Sequence, residues 1–194
     1  MPKLIDHTKR REEIAEATWH IVLTQGVSAV SIRTVAAQAG ISTGSLRHVF
    51  PTKATLLTHA VELVEERATE RIQPHLTIKD SRALVLAVIA EVMPLDRQRQ
   101  IEMKVSIALA AEAPSSPELR AVHEGSYQIL KDLCLRLVTR LFAAGLTAPN
   151  CDISAAATHL HALVDGLAFH LLANPSAEFQ REAMVTIENF IDSL

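Results

Sequence analysis

Thr43, Gly44, Ser45, Arg47 and His48 fall within six positions of one another, and together they suit the reading of base edges in a DNA groove. Hydroxyl groups can donate to or accept from base atoms, and a guanidinium offers a two-pronged donor that matches O6 and N7 of guanine. Leu46 and Phe50, four apart in the same stretch, would hold it to a core on one side and turn the polar set outward.

Such a set needs a support, and the preceding residues supply one. Ser31 can cap a helical pattern running to Ala39, with Ile32, Val35, Ala36 and Ala39 on one face at three- and four-residue spacing. Ala36 is small where a second helix must cross closely, and Gly40 permits the backbone of a very short turn. Ile41 is its apolar plug, and Ser42 or Thr43 can cap the next helix. The stretch Ile32 to Lys53 therefore predicts a helix-turn-helix. Within it Thr43, Ser45, Arg47 and His48 are candidates for base contacts, and Gly44 shares their outward edge. Ser31, Arg33 and Lys53 are better placed for the phosphate backbone.

These residues resemble the TetR family of transcriptional regulators. The match runs through an apolar first helix around Ile14, Ala17, Ile21 and Val22, then Gly26, Ser31, Val35-Ala36 and Ala39-Gly40-Ile41-Ser42. It continues with Gly44, Leu46, Phe50, Lys53 and Leu56-Leu57, so it covers roughly the first sixty residues. Arg47 and Val49 depart from it, because an aromatic residue is common there in the family. A tyrosine-to-phosphate contact does not carry over; Arg47 can clamp a phosphate or read a guanine, and the base contact is the expectation. The Ser45-Leu46-Arg47-His48 run is loosely similar to the family's betaine- and choline-responsive branch, in which a histidine stands at the His48 position.

Composition bounds the rest. The 194 residues are 48% hydrophobic and only 4% aromatic, with six glycines, which favours helices built on aliphatic cores. No window holds the 18 or so uninterrupted apolar residues of a membrane span, and the polar start MPKLIDHTKRREE does not read as a secretory signal. A cytoplasmic protein with no membrane partner is expected. Cys134 and Cys151 stand outside any paired-ligand spacing, so reduced thiols are the default. The net charge of −3 conceals an asymmetry: residues 1–53 carry seven Lys and Arg against four acids, giving +3, and the remainder carries −6. A basic head on an acidic body aims one end at phosphate.

Periodicity predicts nine helices and no sheet; with it the resemblance implies an all-α, nine-helix TetR-like architecture with a DNA-binding domain over 1–53 and an effector-binding and dimerisation domain over 54–194. The first helix runs from about Asp6 to Gln25 with Trp19 on its flank, and the fourth from Thr52 toward Pro74, linking head to body. The fifth, Asp80 to Met93, is apolar almost all round and reads as buried on every side. The sixth spans Asp96 to Ala113 and the seventh opens at Ser116-Pro117-Glu118 and closes at Gly145. The eighth, capped by Asp152, and the ninth, after Pro175-Ser176, carry more apolar surface than one packed face can hide. Ala156, Leu160, Leu163, Val164 and Leu167, with Met184, Ile187 and Ile191, are the expected dimer interface, in the four-helix arrangement the resemblance implies.

The resemblance also implies a small-molecule effector site in the body. Met93, Met103, Ile107, His123, Tyr127, Leu130 and Phe169 are its candidates, mostly apolar with a few polar groups. The expected function is a ligand-responsive homodimeric repressor that binds palindromic double-stranded operator DNA and is released by its effector. A metal- or redox-sensing regulator is the alternative, prompted by nine histidines and two cysteines. Spacing opposes a metal, since His159 and His161 face different ways on a helix. No cofactor is expected, and no enzyme: phosphate-binding glycine loops and serine elbows are missing, and Glu65, Glu66, Glu102 and Asp165 read as solvated or capping charges.

Overall fold

A computed structural model describes residues 7–194. The expected helix start at Asp6, and the head charges Lys3 and Asp6, lie outside the described residues. Among those described the chain is all-α, with nine α-helices and no strand. They are α1 (His7–Gln25), α2 (Ile32–Gln38), α3 (Thr43–Val49), α4 (Lys53–Ile72), α5 (Ser81–Val92), α6 (Arg97–Glu112), α7 (Pro117–Ala143), α8 (Ile153–Ala173) and α9 (Ala177–Asp192).

Local chemistry sets most of these boundaries. Ser31 opens α2 by accepting the Thr34 amide, and Thr34 returns a bond to the Ser31 amide, which makes a reciprocal cap. Thr52 and Thr55 do the same for α4. Single side-chain caps start α5 at Asp80, α7 at Ser116, α8 at Asp152 and α9 at Ser176. Gly40, at φ 65°, makes the α2–α3 turn, and Gly145, at φ 69°, ends α7 with the Leu146 amide reaching back to the Leu141 carbonyl.

The chain forms two compact units, whose borders fall inside α4, α6 and α7. The first holds the residues up to Glu66 together with Lys104–Glu124. Its buried residues include Ile14, Ile21, Val35, Ala36, Leu46, Phe50, Leu56 and Leu57. Trp19, expected on the flank of α1, is buried instead, because its indole N–H finds a partner in the Ala60 carbonyl of α4 at 2.8 Å. The second unit holds Arg67–Met103 and Gly125–Leu194, around a core that draws on α5, the later part of α7, α8 and α9.

Two expectations fail at the level of helix faces. α5 buries Leu84, Val85, Val88 and Ile89, a single face, while Leu86, Ala87, Ala90 and Val92 stay partly exposed. α8 and α9 turn much of the expected dimer stripe into the chain's own core: Ala156, Leu160, Val164, Ile187 and Ile191 are buried, and Leu163, Leu167 and Met184 pack half-buried against them. Spacing shows that such helices have an apolar face, but it cannot say whether a helix of the same chain or of a second copy will cover it.

Candidate nucleic-acid interface

α3 is a seven-residue helix anchored by one side. Leu46 is wholly buried, and Phe50, whose amide donates to the Leu46 carbonyl at 2.8 Å, closes the helix with its ring inside the core. Thr43, Gly44, Ser45, Arg47 and His48 are all exposed on the other side, as the four-residue spacing of the anchors requires. Val49 joins them as an exposed apolar side chain able to meet a thymine methyl. Ser42, the residue before, is the cap: its Oγ accepts the Ser45 amide at 3.0 Å and donates to the Ser45 hydroxyl at 2.9 Å. The Ser45 O–H is thereby left to act as a donor.

The backbone candidates are less alike. Arg33 is exposed on α2, whereas Ser31 and Lys53 are half-buried. The Ser31 hydroxyl is also engaged with Thr34, at 3.0 Å between their oxygens and 3.1 Å from the Thr34 amide. Sequence reasoning did not single out Arg11 and His59, which pack behind α3 on the Phe50 ring. Neither has a spacing that marks it in one dimension.

The effector candidates are divided between the two units. Ile107 and His123 belong to the first unit, the other five to the second. Met93 is buried, and Met103 and Leu130 pack half-buried against the same core. His123, Tyr127 and Phe169 are exposed; Phe169 stands out at 60% and cannot wall an enclosed cavity of the single chain. The structure adds His161, buried on α8, whose ring lies 4.9 Å from that of Tyr127 and whose Nε2 is 3.3 Å from Asp165.

At its far end α4 is tied by charge. Arg71 makes two bonds to the Glu102 carboxylate of α6, at 2.9 and 3.3 Å. Its Nε stands 3.3 Å from Glu91 of α5, close enough for ion pairing though misaligned for a hydrogen bond. Arg99 and His75 also reach Glu91, at 3.2 and 3.1 Å. Glu102, expected to be solvated, is only 3% exposed, and the arginine explains how its charge is tolerated there. Burial, with Asp165 nearby, pushes the Cys134 thiol up to about 12. Among the described residues no group of three or more His, Cys, Asp or Glu is placed to hold a metal ion. No described helix is long and apolar enough to cross a membrane.

A capped helix-turn-helix with an exposed polar edge, carried by an all-helical body, defines a DNA-binding transcriptional regulator. Residues 14–66 match the bacterial regulatory proteins of the TetR family, and residues 81–194 match the C-terminal region of BetI-type transcriptional repressors. The chain belongs to the TetR family, whose members are regulators and not enzymes. It is 38% identical over 178 residues to the HTH-type transcriptional regulator PksA of Bacillus subtilis (strain 168), covering 90% of this chain and 84% of that one. Among solved structures, a transcriptional regulator from Pseudomonas aeruginosa PAO1 superposes with a TM-score of 0.84 at 23% identity, over 97% of this chain and 91% of its own. Another, from Saccharomonospora viridis in complex with choline, gives 0.78 at 22% identity over 95% and 96%. At those identities the two structures show the fold alone.

Proposed function

We propose that the chain is an effector-controlled repressor that binds a palindromic operator as a homodimer. The observation that carries the DNA reading is the exposed edge Thr43, Ser45, Arg47 and His48 on a helix whose opposite side is locked into the core by Leu46 and Phe50. In this reading Arg47 contacts a base, Thr43, Ser45 and His48 assist it, and Gly44 leaves the helix start open to close approach. Ser31, Arg33 and Lys53 hold the phosphate backbone. One seven-residue helix can touch only a few base pairs. Two of them roughly 34–36 Å apart would occupy successive major grooves.

Because much of the expected stripe is occupied within the chain, the dimer surface we propose is the outward face of α8, with Ala155, Ala162, Gly166 and Phe169, joined by exposed Val185 of α9. Half-buried Leu163, Leu167 and Met184 can contribute at its margins. A Cβ built on Gly166 meets nothing within 4 Å, so the chain itself does not require a glycine there. A closely approaching partner helix would.

The effector site we place in the second unit, near Tyr127, His161, Leu130, Met103 and Met93. Choline, bound by the Saccharomonospora protein, is the first compound to try, since a quaternary ammonium favours aromatic faces. An effector that releases DNA must act through α4, whose last turn Arg71 ties to α5 and α6. Linkage requires that the effector and the operator weaken each other by the same factor.

The test begins with selection of duplexes from a random pool by the purified protein, followed by anisotropy titrations. An inverted repeat should emerge. Arg47→Ala should then weaken operator binding by about 1–3 kcal/mol and leave an unrelated duplex nearly unaffected. Equal loss on both would assign Arg47 to phosphate, and a pool that shows no enrichment would refute the DNA-reading role.

A further inference from the structure

We infer that His59, which is buried where DNA cannot reach it, is a positioning residue for operator reading: with Arg11 it locks Phe50 and thereby the C-terminal end of α3. The inference rests on the DNA-reading role proposed above.

A helix of seven residues does not hold its own orientation, because so short a helix is marginal without tertiary contacts. The setting of α3 is therefore that of its anchors. Phe50 is the terminal one, and its amide bond to the Leu46 carbonyl makes ring and last turn move together. Its ring is held by two side chains. The His59 imidazole stacks on it, with centroids 4.9 Å apart and planes 22° from parallel, and the Arg11 guanidinium carbon lies 5.4 Å from its centroid.

His59 and Arg11 are in turn bound to each other twice. A carbonyl can only accept, so the 2.8 Å contact from His59 Nε2 to the Arg11 carbonyl places the proton on Nε2. Nδ1 lies between Arg11 Nη2 at 3.2 Å and the Glu62 carboxylate at 3.4 Å. Both ring nitrogens thus touch Arg11 of α1, and Nδ1 also meets Glu62 on its own helix. Glu62, one turn further along α4, steadies the guanidinium from 3.8 Å. A further bond between the same helices, from Trp19 Nε1 to the Ala60 carbonyl, lies beside the His59 contacts on α4 and eight residues from Arg11 on α1. These two points fix how α4 sits against α1, and the imidazole that makes one of them also supports Phe50. An apolar side chain could fill the same volume, but it would not define the ring's rotation. Base reading by α3 needs its side chains held to within about half an ångström.

The test uses the full-length protein with the selected operator and an unrelated duplex of equal length. His59→Phe keeps an aromatic ring for Phe50 and removes both nitrogens; Arg11→Met removes the guanidinium from an exposed position where loss of the fold is not at stake. Thermal denaturation followed by circular dichroism accompanies each titration. Both variants should lower the ratio of operator to unrelated-duplex affinity about tenfold. Arg11→Met should also weaken both duplexes by the charge it removes, and the double variant should be no worse in that ratio than the poorer single one, because the two side chains act as a unit. If His59→Phe does not fold, Arg11→Met decides. Retention of the wild-type ratio by a folded variant, or a loss by His59→Phe that is equal on both duplexes, would overturn the inference while leaving the function intact. A wild-type protein without sequence preference would overturn both.

Discussion

At Cys134 the thiol is out of contact with water, and ionisation there would leave a thiolate near Asp165 in an apolar core. With its pKa pushed up to about 12, the group is a neutral, inert packing element at physiological pH. Cys151 is half-buried. A thiol reagent added to the native protein should therefore modify Cys151 alone, and Cys134 only after denaturant is added, as read by mass spectrometry. Rapid native labelling of both would contradict the packing of α7 against α8. The same logic governs His59 and Glu102, whose polar atoms are held inside by named partners and would be costly to leave there without them.

α4 is the element on which the proposed control depends. Its start is set by the reciprocal Thr52 and Thr55 cap, and its last turn by Arg71. Removing Arg71 leaves Glu102 buried with the Gln98 amide, at 3.1 Å, as its one remaining donor among the described residues. Arg71→Met should cost stability toward the lower end of about 3–5 kcal/mol, because the arginine itself is part exposed. Urea denaturation checks this, and adding Glu102→Gln to the same chain should recover part of the loss. A single variant as stable as the wild type would show that the charges at the end of α4 are solvated after all.

For the whole molecule the decisive question is assembly. The face of α8 with Ala155, Ala162, Gly166 and Phe169 is exposed in the single chain, and Gly166 has open space around it. Gly166→Glu is accordingly expected to leave the helical content and melting of the isolated chain nearly unchanged while converting a dimer to a monomer in sedimentation equilibrium. Operator affinity should fall with it, since a single α3 would have to bind a half-site without the gain from its mate. A variant that still sediments as a dimer would move the interface elsewhere.

Local signals read well in one dimension wherever the cause was local. Ser31 and Asp152 cap the helices expected of them, Thr52, Asp80, Ser116 and Ser176 turn out to cap helices whose starts were expected at or beside them, and Gly40 sits at the positive φ its turn demands. The outward edge of α3 followed from Leu46 and Phe50 alone, because two anchors four residues apart leave one exposed side. Faces of the apolar helices did not follow. α8 has apolar residues on every side, so only the packing of α5, α7 and α9 against it decided that Leu160 and Val164 face inward and Phe169 outward. Nor could chain order join Arg11 to His59, or Arg71 to Glu102, separated by 48 and 31 positions. Sequence carries the preferences of neighbours within a turn or two; contacts between distant helices exist only once the chain has folded.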